Sequence, residues 1–153
     1  MPRQEKRKLP TQLDDFAAPT VNTYSLETTI AEKTDAILSL MEFSSRMKDY
    51  YDIYYLANKF DFDGTTLTEA LKKTFANRNH NFTIEQFQQM IEFDSDDAMQ
   101  KKWKDFVKKI NTKTDDFETV LKTIRAFLTE PFVASIEKNE HIKRWNATDT
   151  KWI

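Results

Sequence analysis

Lys33, Lys48, Asp49 and Asp52 are the residues of this sequence whose types and spacing suit chemistry on a phosphate. Leu26, Ile30, Ile37 and Met41 fall on one stripe of a 3.6-period helix. Lys33, within "TIAEKTDAI", comes three residues after Ile30 and four before Ile37, so it lies on that same apolar stripe. An ammonium group there either snorkels to the rim of the core or is held in place for chemistry. Downstream, in "RMKDYYD", Arg46 and Asp49 are three apart, Asp49 and Asp52 three apart, and Lys48 and Asp52 four apart. All can be neighbours on one helix surface. Asp49 shares its face with Ile53 and Asp52 with Leu56, so neither carboxylate is on a purely polar side. A lysine meeting two carboxylates across a helix pair could neutralise phosphate oxygens while an aspartate served as base or metal ligand. Spacing alone better describes a helix-start charge cluster, with acids near the positive end of the macrodipole and ion pairs worth about 0.2–0.5 kcal/mol each.

Six helices are expected to position these groups. The first starts after Ser25 and runs to about Met41; the second, "FSSRMKDYYDIYYLANK", starts near Ser44 or Ser45. The capping-box patterns Thr66–Glu69 and Thr83–Gln86 predict a third helix ending near Asn77 and a short fourth. Ser95, Asp96 and Asp97 begin a fifth, with Trp103, Phe106, Val107 and Ile110 on one face. Asp115 or Asp116 begins a sixth, with the stripe Phe117, Val120, Leu121, Ile124, Phe127 and Leu128, which Pro131 is expected to end or kink. The segment Phe16–Tyr24 reads as a short strand or extended lead-in. The expected architecture is mainly α: a bundle of about six helices with a short extended or β segment near the N-terminus. Residues 1–12 read as a mobile basic arm, 13–136 as the helical domain and 137–153 as a polar tail containing Ile142, Trp145 and Trp152.

Composition narrows the chemistry. A chain of 153 residues fits one domain, and its net charge of −2 suggests neither nucleic acid nor membrane as a bulk partner. Without cysteine there is no disulfide, thiolate metal site or cysteine nucleophile. No apolar run approaches a membrane span and no signal peptide opens the chain, so a cytoplasmic protein is expected. The single glycine, Gly64, rules out phosphate-cradling loops that need several. "FDFDG" contains a D-x-D spacing used by two-metal sites, but Asp63-Gly64-Thr65-Thr66 reads as turn and cap chemistry. His80 and His141 read as isolated, exposed side chains, and no metal site is expected from them. Tyr50, Tyr51, Tyr54 and Tyr55 crowd one helix, some expected inside with hydroxyls partnered at the edge, base stacking being the sharper alternative. Lys101, Lys102, Lys104, Lys108 and Lys109 around Trp103 form a basic face, either solvated or in contact with RNA phosphate.

Taken in order, "YSLETTIAEK", "SSRMKDYYDIYYL", "FDFDGTTLTEALKKTFANR" and a W-x-x-F helix resemble the C-terminal half of the AbiEii/AbiGii nucleotidyltransferase toxins, from about Leu13 to Leu128. The resemblance implies a bacterial enzyme related to the polymerase β-like superfamily, from an abortive-infection or toxin–antitoxin system, encoded beside an antitoxin. It implies transfer of a nucleotide from a nucleoside triphosphate with Mg2+, in some members onto tRNA ends. By the same resemblance Lys33, Asp49 and Asp52 are catalytic, and Lys33, Arg46 and Lys48 bind the nucleotide, which raises a phosphate-facing Lys33 above the snorkelling reading. The pattern also departs from the family. Its Gly-Ser and D-x-D motif is missing: Gly64 is followed by Thr65, and Asp61 and Asp63 lie downstream of Lys33. The sequence therefore reads as the helical half of an enzyme, expected to be inactive alone. Its expected partners are a missing N-terminal nucleotidyltransferase domain, an antitoxin, a tRNA acceptor for the complete enzyme, and a second copy of itself. The alternative expectation is a non-enzymatic helical module that binds an antitoxin or itself.

Overall fold

The computed structural model describes residues 25–40, 47–92 and 96–153. The basic arm, the Phe16–Tyr24 segment, Met41, and the expected second-helix starts at Ser44 or Ser45 lie outside them.

Helices begin where a short polar side chain accepts an amide of the first turn. Ser25 Oγ accepts from the Thr28 amide at 3.1 Å and opens α1 (Leu26–Leu40). Helix α2 spans Met47–Lys59. Asp63 opens α3 (Gly64–Asn77), accepting from Thr66 N at 3.0 Å and Thr66 Oγ1 at 2.8 Å. The third helix thus starts before the Thr66–Glu69 box. Glu69 pairs with Lys72 on the surface instead, because Asp63 already satisfies the amide that a Thr66 cap would leave outside. Thr83 and Gln86 do form a reciprocal capping box for α4 (Ile84–Ile91). Asp96 caps α5 (Asp97–Ile110) and Asp116 caps α6 (Phe117–Glu137).

Helix α6 is the axis of the core. Its buried stripe of Phe117, Val120, Leu121, Ile124, Phe127, Leu128 and Phe132 faces α2, α3 and α4; α1 packs on α2, α3 and α4, and α5 covers α2. Rings fill the gaps: Phe87 stacks on Phe132 with centroids 4.3 Å apart, and Trp103 stacks on Phe117 at 5.4 Å. Among the described residues no helix is long and apolar enough to cross a membrane.

Pro131 does not end the sixth helix, which continues to Glu137. A proline inside a helix strands the carbonyl four residues before it, here that of Phe127. Trp152 Nε1 donates to that carbonyl at 3.0 Å, so the C-terminal segment supplies the bond that the proline cannot. Residues 137–153 are accordingly more than a polar surface. Strands β2 (Arg144–Asn146) and β3 (Lys151–Trp152) form an antiparallel sheet with β1 (Phe62–Asp63), in the order β1-β2-β3, with Phe62 opposite Trp145 and Trp145 opposite Trp152. Trp145 is wholly buried and donates to Ala57 O at 2.7 Å. A Cβ on Gly64 would fall 2.5 Å from the Lys143 carbonyl oxygen, so the chain's one glycine serves close backbone approach.

Candidate functional site

Burial of Met47, Tyr50, Ile53 and Leu56 fixes the rotation of α2, and Asp49 and Asp52 are buried with them. Lys33 on α1 meets both: its Nζ is 2.8 Å from Asp52 Oδ2 and 3.4 Å from Asp49 Oδ1. Lys48 Nζ donates to the two Asp52 oxygens at 3.0 and 2.9 Å. The Asp52 side chain is 1% exposed, against 19% for Lys33 and 43% for Lys48. Burying a carboxylate without compensation is strongly unfavourable. Two ammonium groups provide that compensation and are drawn together by it. The Lys33 ammonium is therefore anchored by carboxylates rather than extended into bulk water. Of the residues expected from sequence, Lys33, Lys48, Asp49 and Asp52 come together; Arg46 lies outside the described residues.

This cluster can attract phosphate oxygens through two lysines. It does not fit a metal ion, since both carboxylates are engaged by ammonium groups and among the described residues no three His, Asp or Glu side chains converge. The D-x-D acids serve structure: Asp61 Oδ1 accepts from Ala147 N at 2.8 Å, and Asp63 caps α3.

Neither histidine is isolated. Asn79 adopts a left-handed conformation with φ 55°, which turns the chain so that His80 reaches α1. There His80 Nδ1 lies 2.8 Å from the buried Asp35 Oδ2, and Ser39 Oγ donates to Asp35 Oδ1 at 3.2 Å. Arg78 pairs with Glu32 beside it. His141 is buried edge-on against the Trp152 ring. Burial pushes its pKa below the ordinary value, Glu130 and Asp63 oppose that shift, and Lys143 adds to it.

Sequence spacing did not disclose a second feature adjoining this cluster. Lys48 and Asp52 also line an open groove of about 700 Å³ between α2, the end of α5 and the 112–115 loop. Tyr51, Tyr55 and Phe106 supply its aromatic surface, with Tyr51 5.8 Å from Phe106 and 6.2 Å from Tyr55 between ring centres. Tyr54 donates its hydroxyl to Asp115. Burial, and then that hydrogen bond, push its pKa well above the usual phenol value, so it stays a donor. The signal for the groove was the crowding of tyrosines in one helix; its partner wall lies more than fifty residues away.

A search of curated proteins and a search of solved structures each returned no match. A family model described as the nucleotidyl transferase AbiEii toxin of a type IV toxin–antitoxin system matches residues 1–127, which include α1 to α5 and both halves of the lysine–aspartate cluster. The match covers most of the sequence, and the chain belongs to the AbiEii nucleotidyltransferase toxin family.

Proposed function

We propose that this chain supplies the lysine-and-acid wall of a nucleotidyl transfer site in a bacterial, cytoplasmic toxin–antitoxin system. Another polypeptide segment supplies the metal-binding wall, because Gly-Ser is not among these 153 residues and no D-x-D precedes Lys33. The observation that carries the reading is the Lys33 ammonium seated between Asp49 and Asp52, with Lys48 on the same Asp52 carboxylate. Lys33 and Lys48 bind the phosphate oxygens of a nucleoside triphosphate, and Arg46 joins them. Asp52 keeps the two ammonium groups in register. The acceptor oxygen bonds to the α-phosphorus while the bond from that phosphorus to the bridging oxygen breaks. Pyrophosphate leaves, and Asp49, the more exposed of the two acids, takes the acceptor's proton. No step is assigned to a metal on these residues. The acceptor is a tRNA end, and the activity is restrained by an antitoxin.

The test mixes the purified chain with a family N-terminal domain in trans and follows labelled nucleotide into tRNA. Transfer should need both polypeptides and should fall at least tenfold with Lys33→Ala. Incorporation by the chain alone would overturn the two-part reading. Undiminished transfer by the Lys33→Ala variant would overturn the role of the lysine.

A further inference from the structure

The groove between α2 and α5 has a composition that the phosphate cluster does not use. From Lys48 to Lys59 the α2 wall runs about 16 Å at 1.5 Å per residue, longer than one stacked base needs. The ring centres of Tyr51 and Tyr55 are 6.2 Å apart, beyond the about 3.4 Å rise between stacked bases in one strand of a duplex. Bases lying on these rings would therefore be splayed. The two carboxylates of the groove are occupied: Asp52 by Lys33 and Lys48, Asp115 by the Tyr54 hydroxyl. Exposed Lys59 and Lys113 fringe it, with Lys59 Nζ 5.6 Å from the Tyr55 ring centre. Lys109 follows Phe106 by three residues and so extends the basic margin along the same side of α5.

From this juxtaposition of offset tyrosine rings with a cationic margin, we infer that the groove holds a short single-stranded polynucleotide, bases on Tyr51, Tyr55 and Phe106 and phosphates on Lys59 and Lys113. Aromatic faces accept any base, so the grip is indifferent to sequence, and lysine–phosphate contact makes it sensitive to salt. The inference deepens the proposed function, because the groove ends at Lys48 and Asp52 and a strand held there leads its terminus to the phosphate cluster. Binding itself does not depend on transfer.

The test is fluorescence anisotropy of the full chain with a labelled short oligouridylate. Binding should weaken about tenfold for Tyr51→Ala, from loss of one stacked base, and for Lys59→Glu with Lys113→Glu. It should also weaken steeply with salt, and it is measured with no nucleoside triphosphate and no second polypeptide, which separates it from failure of the transfer reading. Lys59 and Lys113 are exposed, so their replacement tests the groove without threatening the fold. The inference is overturned by any of four results: no binding at high micromolar chain, salt-independent binding, an undiminished lysine variant, or displacement by UTP, duplex RNA or polyglutamate as effective as by unlabelled oligouridylate.

Discussion

Lys33 Nζ lies 2.8 Å from Asp52 Oδ2, joining two helices through a carboxylate that is almost completely removed from solvent. Electrostatics and packing are coupled there: α1 and α2 cannot separate without stranding a buried charge. Lys33→Met should destabilise the chain by about 1–3 kcal/mol, the cost of removing one partner from a buried ionic group, with Lys48 limiting the loss. In a double-mutant cycle with Asp52→Asn the losses should be strongly non-additive. Urea midpoints of the four proteins check this; additive losses would mean that the pair is not coupled.

The Phe127 carbonyl offers a second test. Trp152→Phe removes its indole donor and should cost about 1–2 kcal/mol. Adding Pro131→Ala restores an amide that can donate to the same carbonyl, and should recover much of that loss. Thermal melts of the single and double variants measure it. No recovery would show that the loss comes from ring packing rather than from the carbonyl.

His141 gives stability a defined pH dependence. Its folded pKa lies below its unfolded value, chiefly through burial, so protonation favours the unfolded chain. The neutral ring's full contribution is present above the unfolded pKa, near 6.5. It is lost as pH falls from there toward the folded pKa. Chemical denaturation across pH 5 to 8 should show stability rising with pH, and His141→Phe should flatten that slope. An unchanged slope would place its origin elsewhere.

Gly64→Ala should loosen the C-terminal hairpin, because the new methyl group meets the Lys143 and His141 carbonyl oxygens and the buried His141 ring. A cost of about 1–3 kcal/mol is expected from overpacking. Limited proteolysis should then cut between Lys138 and Lys151 faster than in the parent chain. Equal cutting rates would show that the hairpin accommodates the methyl.

The amino-acid sequence by itself determined the mainly helical character and where several helices begin, because a cap is a contact made within three residues. Ser25 and Thr83 are legible for that reason, and Asp96 and Asp116 lie within the short polar clusters that mark the fifth and sixth starts. It also marked Lys33 as out of place on an apolar stripe and spaced Asp49 and Asp52 to share a surface. Tertiary structure decided the rest. The Trp145 indole finds the Ala57 carbonyl 88 residues away, Trp152 completes a helix that Pro131 interrupts, and two histidines with polar neighbours in sequence become partnered or buried. The groove likewise exists only once α5 lies over α2. Local periodicity encodes which face of an element is apolar; it carries no information about which distant element will cover that face, so partners across dozens of residues appear only when the chain has folded.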